Sequence, residues 1–177
     1  MAKETYDGAP HELWKGVVAG MVGGLVASWT MNQVFTIWSK IKEDKQQPEQ
    51  PAKKGEANDP ATLKLAKKLS REFLHREIPE DKVQAAEAAV HYGFGTVMGA
   101  VYGGLSEYLP QTKAGFGSAY AMALFVTVDE IAVPLAGLSG KANEVPASSH
   151  VLGLTSHLVY GVTAELVRRG TRRLLAA

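Results

Sequence analysis

Hydrophobic and polar positions fall along this chain in long blocks rather than at the period of a half-buried helix or strand. Four stretches, residues 16–38, 88–106, 114–140 and 145–164, make up half of the 177 residues yet contain only two formal charges, Asp129 and Glu130. A soluble amphipathic helix carries charge along its wet face at nearly every turn. Charge-free runs of about 20 residues instead match the length needed to cross a bilayer. The expected fold class is therefore all-α, an integral membrane bundle of four transmembrane helices forming a single domain over 1–177. The spans are expected at about 13–41, 83–109, 114–140 and 147–167.

Between the first two spans the pattern changes. Residues 43–59 are polar with two prolines and read as a solvated loop. Asp59 and Pro60 then offer an N-cap and a first-turn proline. Leu63, Ala66, Leu69 and Phe73 follow on one side, with Lys64, Lys67, Lys68 and Arg71 on the other. That spacing predicts an amphipathic helix over 60–78, ending at Ile78-Pro79. It packs on the bundle's own surface, lies in the headgroup layer where the four cations would bind anionic lipid, or does both. Pro110 closes span 2, and residues 111–113 and 141–144 are turns short enough to force antiparallel neighbours. Both termini then lie on one side with the long loop opposite, and Trp14 and Trp38 suit the two interfaces.

Composition narrows the function classes. A net charge of +1 with no cysteine excludes a basic nucleic-acid binder, a disulfide scaffold, thiol catalysis and iron–sulfur ligation. The residues before span 1 mix charge signs, so no cleaved signal is expected. The loop side carries 12 Lys and Arg against 7 on the termini side, but Arg168, Arg169, Arg172 and Arg173 follow span 4 directly. These two biases oppose each other, and orientation stays open.

Glycine supplies the sharpest local signal. Gly16, Gly20 and Gly24 continue at the same spacing into Ser28 and Asn32, and span 2 repeats the spacing with Gly95, Gly99 and Gly103. In lipid, small-xxx-small faces bring helices together through close backbone contact. These stripes either pack spans 1 and 2 within one chain or form a homo-oligomer interface. Of the two central glycines, Gly20 is expected at an oligomer contact and Gly99 inside the bundle.

Depth is the second signal. Measured from the long-loop side, Asn32, His91, His157, Asp129 and Glu130 all lie eight to eleven residues inside their helices. At about 1.5 Å per residue they share a level about 12–16 Å deep. Glu87 lies one turn outward from His91, and His150 two turns outward from His157, so the layer opens toward that surface. Ionisable groups at membrane depth are costly and point to proton or cation pathways, or else to a buried network that fixes helix register. Pro134 lacks the N–H that the Glu130 carbonyl would receive in an α-helix, so a kink and a bare acceptor are expected beside the two acids. His91 and His157 facing across the bundle, with glycines making room for a ring, would suit haem, and their mixture with carboxylates would suit a metal. No cofactor is otherwise expected. Glu107 and Glu165 near the other interface read as solvated helix-end charges, Glu165 within reach of Arg168 or Arg169. No nucleophile elbow, phosphate loop, dinucleotide fingerprint or zinc-protease motif is present, which argues against an enzyme.

Three segments carry a resemblance: 91–104 (HYGFGTVMGAVYGG), 128–138 (VDEIAVPLAGL) and 149–161 (SHVLGLTSHLVYG). They resemble the YagU-like family of bacterial inner-membrane proteins, whose biochemical activity is undefined. The resemblance covers spans 2 to 4 and, less clearly, span 1 with Trp29 and Asn32. It implies a multi-pass inner-membrane location and a role in survival under acid stress, and it carries no catalytic residue. Taken together, the expectation is an inner-membrane protein whose His/Asp/Glu layer binds or relays protons or a small cation. The alternatives are a non-catalytic subunit or scaffold of a membrane complex, and a haem- or metal-binding redox subunit.

Overall fold

The computed structural model describes residues 12–45, 59–140 and 145–177. Most of the polar tract 43–59, the segment before span 1 and the turn 141–144 lie outside them. Among the described residues there is no strand. Helix α1 spans Leu13–Lys45, α2 Ala61–Leu69 and α3 Val83–Tyr108. Helix α4 runs over Ser118–Leu135 and α5 over Ala147–Leu174.

Helix ends depart from the sequence expectation where backbone geometry intervenes. The expected span 3 began at 114, but Gly115, Phe116 and Gly117 all take positive φ, and a right-handed helix cannot pass through them. Gly117 also sits so close to α5 that a Cβ on it would lie 2.5 Å from the Gly161 carbonyl oxygen, so only glycine fits. The far end, expected at 140, stops at Leu135. There Gly137 turns left-handed (φ 70°) and donates to the Pro134 carbonyl, while Leu138 donates to that of Val133, a Schellman stop. The amphipathic helix also ends early. After Leu69 it widens into a π turn over Ser70–Leu74, closed by His75 at φ 51° and by Ser70 Oγ donating to the Arg76 carbonyl at 2.7 Å. Helix α5, in contrast, continues past 167 and carries all four of its arginines on regular turns.

Helix α1 occupies the centre, with α3 against one face and α5 against another. α4 leans on α5, and α2 lies across α3. The α1–α3 contact runs antiparallel in the register that the two glycine stripes set. A Cβ added to Gly20 would fall on the Gly99 carbonyl oxygen and 2.8 Å from Gly103 Cα, and one on Gly99 would lie 2.6 Å from Gly24 Cα. Both stripes are therefore spent on each other within one chain. This corrects the expectation that Gly20 belongs to an oligomer interface. It also removes the room that the glycines were expected to leave for a haem ring. A second small-residue row, Ala19, Gly23 and Ala27, meets α5, where a Cβ on Gly23 would lie 2.6 Å from the Ala164 carbonyl oxygen.

Where helices part, tyrosines fill the gap. Tyr160 donates to the Gly95 carbonyl at 2.5 Å, Tyr120 donates to that of Met98 at 2.8 Å, and Tyr102 packs against Tyr120 with ring centres 4.9 Å apart and planes tilted by 40°. Tyr160→Phe keeps the ring but orphans a buried carbonyl lone pair. A cost of about 1–2 kcal/mol is expected, visible as a lowered melting temperature in detergent.

The distribution of apolar side chains is inverted. The buried apolar positions of the four long helices are mostly Ala, Gly and Tyr, with Leu124 and Phe125 the large aliphatic and phenyl side chains among them, and the buried polar ones are Ser28, Ser106, Ser156, His157, Glu165 and Arg168. Val22, Leu25, Ile37, Val97, Val101, Met122, Val126, Ile131, Val151 and Leu166 all point outward. Two of the helices, Leu13–Lys42 and Ser118–Leu135, are long and apolar enough to cross a membrane.

Candidate functional site

The α1–α3 and α4–α5 pairs diverge toward the end where α2 lies, and a cavity of about 720 Å³ opens between them. Asn32, Glu87, His91, Asp129, Glu130, Pro134, His150 and His157 all line it. Four different helices contribute these eight residues; the depth reckoning put seven of them on or just outside one level, and Pro134 was expected beside the two acids. Three more features were not foreseen: Thr62 from α2 at the rim, Phe125 beside His157, and Phe35 and Phe94 on the opposite walls.

Direct contacts divide the eight. Two histidine–carboxylate pairs join α4 to α5. His150 Nδ1 lies 2.7 Å from Glu130 Oε1, and His157 Nδ1 lies 3.6 Å from Asp129 Oδ2. They form because His150 and His157 are two turns apart on α5, while α4 is π-helical over Phe125–Ala132 and turns two adjacent acids to the same cavity. Pro134 acts through that register as well. Val133 N–H donates to the Val128 carbonyl, five residues back. The next donor in this series, which proline lacks, is owed to the Asp129 carbonyl rather than to that of Glu130. The remaining members bond elsewhere. His91 Nε2 donates to the Ser28 carbonyl at 3.1 Å, Asn32 donates to Tyr92 Oη at 3.1 Å, and Glu87 accepts from Thr62 Oγ1 at 3.3 Å. The two histidines proposed for haem or metal are thus not paired with each other. Among the described residues, no group of three or more His, Cys, Asp or Glu converges as a metal ion requires.

The opposite end of the bundle holds a polar cluster whose burial the sequence did not reveal. Glu165 is 0% exposed and accepts from Arg168 Nε at 2.7 Å, Arg168 Nη2 at 3.1 Å, Arg169 Nε at 2.6 Å and Tyr102 Oη at 2.8 Å. The expectation of a solvated helix-end charge is wrong for Glu165. Its neighbours Tyr102 and Arg168 cover it, and four donors replace the water it gives up. Glu12 and Glu107, brought alongside each other by the α1–α3 register, both pair with Arg172. The Arg172 hydrogen bond holds the Glu12 carboxyl below its ordinary range. The spacing Glu165, Arg168, Arg169 was a helix-neighbour signal for the pairing. Nothing local in it distinguished a buried carboxylate from a wet one.

Residues 40–166 match the family described as "Protein of unknown function (DUF1440)". The chain belongs to that family. No curated protein and no solved structure matches it. The matched stretch holds both histidine–carboxylate pairs, Glu87 and His91. It leaves out Gly16, Gly20, Gly24 and Asn32 of α1 and the arginines of α5.

In this DUF1440 member, α2 is seated on the bundle by Leu63, Ala66 and Ser70, with Leu65 reaching the cavity. Among its cations, Lys67 pairs with Asp59 at 2.6 Å and Arg71 with Glu77 at 2.9 Å. Leu69, Phe73 and Leu74 remain exposed beyond them. The helix therefore packs on its own protein first.

Proposed function

We propose that this chain is a four-span bacterial inner-membrane protein that binds protons or a small cation from one side, in the cavity between the α1–α3 and α4–α5 pairs. The observation that carries the reading is the sorting of polar and apolar groups. Large apolar side chains face outward on all four long helices, while the acids and histidines of the charge-free stretches converge on one cavity. α3 and α5 are long enough to span but are interrupted by Gly, Ser, Thr and Tyr, which their inward faces use for close packing. The finer kinship with the YagU-like family, and the acid-stress role that goes with it, belong to this proposal. A cavity of acids and histidines open on one side suits them.

Binding is favoured over relay because the cavity's floor is filled. Tyr120 and Tyr160 bond across it, and below them the α1–α3 backbones touch. Exposed Phe73 and Leu74 at the end of α2 would rest in the headgroup layer, with Lys68 facing anionic lipid.

The test is the pH dependence of stability. Proton uptake by the cavity makes stability depend on pH. At about 1 kcal/mol for each of the two histidine–carboxylate pairs, the wild-type melting temperature in detergent should differ by about 4–8 °C between pH 5.5 and pH 8. The double variant Asp129→Asn, Glu130→Gln should lose that slope. An unchanged slope would favour the scaffold reading, in which the layer only fixes helix register.

A further inference from the structure

The cavity is much larger than a proton or a bare cation needs. Its volume of about 720 Å³ lies within the range of pockets that enclose drug-sized molecules. Its walls are divided chemically: Phe35, Phe94, Phe125 and Val128 offer apolar and aromatic surface, while Glu87, Asp129 and Glu130 supply carboxylates. Among the described residues that line it there is no Lys or Arg. Three acids repel anions, and the phenyl faces attract positive charge.

Two polar groups on the wall keep acceptor capacity open to the cavity. Among the described residues, Asp129 accepts no hydrogen bond, its nearest polar contact being the 3.6 Å approach of His157 Nδ1. His157 is 7% exposed, and its Nδ1 donates to the Gly153 carbonyl at 2.9 Å. The neutral ring therefore presents Nε2 as an acceptor, and that atom has no partner among the described residues. Phe125 stands beside this imidazole at 5.4 Å between ring centres. Open acceptors thus stand next to aromatic surface, and an alkyl- or arylammonium ion supplies donors, charge and apolar body together.

We propose that the cavity binds an organic ammonium ion, its head on Asp129 and His157 Nε2 and its apolar body against Phe125 and Phe94. This rests on the cation-binding reading above and names the class of ligand. The probe is 1-naphthylmethylammonium, titrated by fluorescence into the full-length protein in zwitterionic nanodiscs, with protein-free discs subtracted. Its anionic counterpart, 1-naphthylacetate, is titrated in parallel. Saturable binding of one cation per chain is expected, at least ten-fold tighter than the anion, and weakened ten-fold or more by Asp129→Asn.

The comparison between the two probes needs no variant, so it stands even if Asp129→Asn fails to fold. Equal affinity for both probes, no saturable binding of the cation, or full retention by a folded Asp129→Asn protein would overturn the proposal. If the cation does not bind while the pH slope of stability persists, the organic-ligand inference alone falls. Loss of both removes the cation-binding reading as well.

Discussion

Gly20→Leu and Gly99→Leu should each unfold the bundle, with damage that does not depend on protein concentration. At both positions the added side chain meets backbone of the facing helix rather than a movable side chain. Overpacking against side chains costs typically about 1–3 kcal/mol, because rotamers can shift. Here α1 and α3 must separate along their length, which also breaks the His91 bond to the Ser28 carbonyl and the Arg172 bridge between Glu12 and Glu107. The loss should approach the total stability of about 5–15 kcal/mol expected of a domain. Circular dichroism and size exclusion in detergent would show lost helix and aggregated material. Gly93→Leu provides the control on α3, since nothing lies within 4 Å of its added Cβ. It should fold, and a helix-propensity gain of up to about 1 kcal/mol should offset any cost. A folded Gly20→Leu protein that merely dissociates from a larger assembly would restore the oligomer reading of the first stripe.

The second large effect is expected at Glu165. Glu165→Gln removes the counter-charge from Arg168, which is itself buried, while leaving the guanidinium in place. Removing one partner of a buried pair costs about 3–5 kcal/mol, which corresponds to a melting temperature lowered by about 10 °C or more. Glu107 lies 3.8 Å from Arg168 and recovers only part of the loss. Arg169→Gln, in contrast, should cost less than about 1 kcal/mol, because that side chain is 42% exposed and solvent already screens it. The double replacement Glu165→Leu, Arg168→Met should be milder than Glu165→Gln alone, since it leaves no unpaired buried charge. If the single and double variants were equally unstable, packing around α5 rather than charge pairing would be the cause.

The helices were legible because their signals are local. Block segregation of charge marks the long apolar segments, Pro110 marks the end of α3, and residue 83 as the start of α3 follows from the pattern alone. That Asn32, His91, Asp129, Glu130 and His157 would come together was legible for the same reason: rise per residue is a property of the backbone, and counting from a shared end brings them to one cavity. The ends of α4 were less legible, since neither the left-handed run over 115–117 nor the π register over Phe125–Ala132 has a periodic signature. Pro134 announced a break, but the register that decides which carbonyl lacks its donor comes from how α4 leans on α5.

By itself the sequence determined that the protein is helical, that α1 and α3 each carry a glycine face, and that the titratable residues of its charge-free stretches lie at similar distances from one end of their helices. Tertiary structure alone decided that the two glycine faces meet each other, that the histidines pair with α4 acids rather than together, and that Glu165 is buried while Arg169 stays wet. The reason is that spacing specifies which side chains share a face, through the fixed geometry of one helix. Which face another helix covers depends on choosing among several similar faces, and backbone approach, rather than residue type, decides that choice.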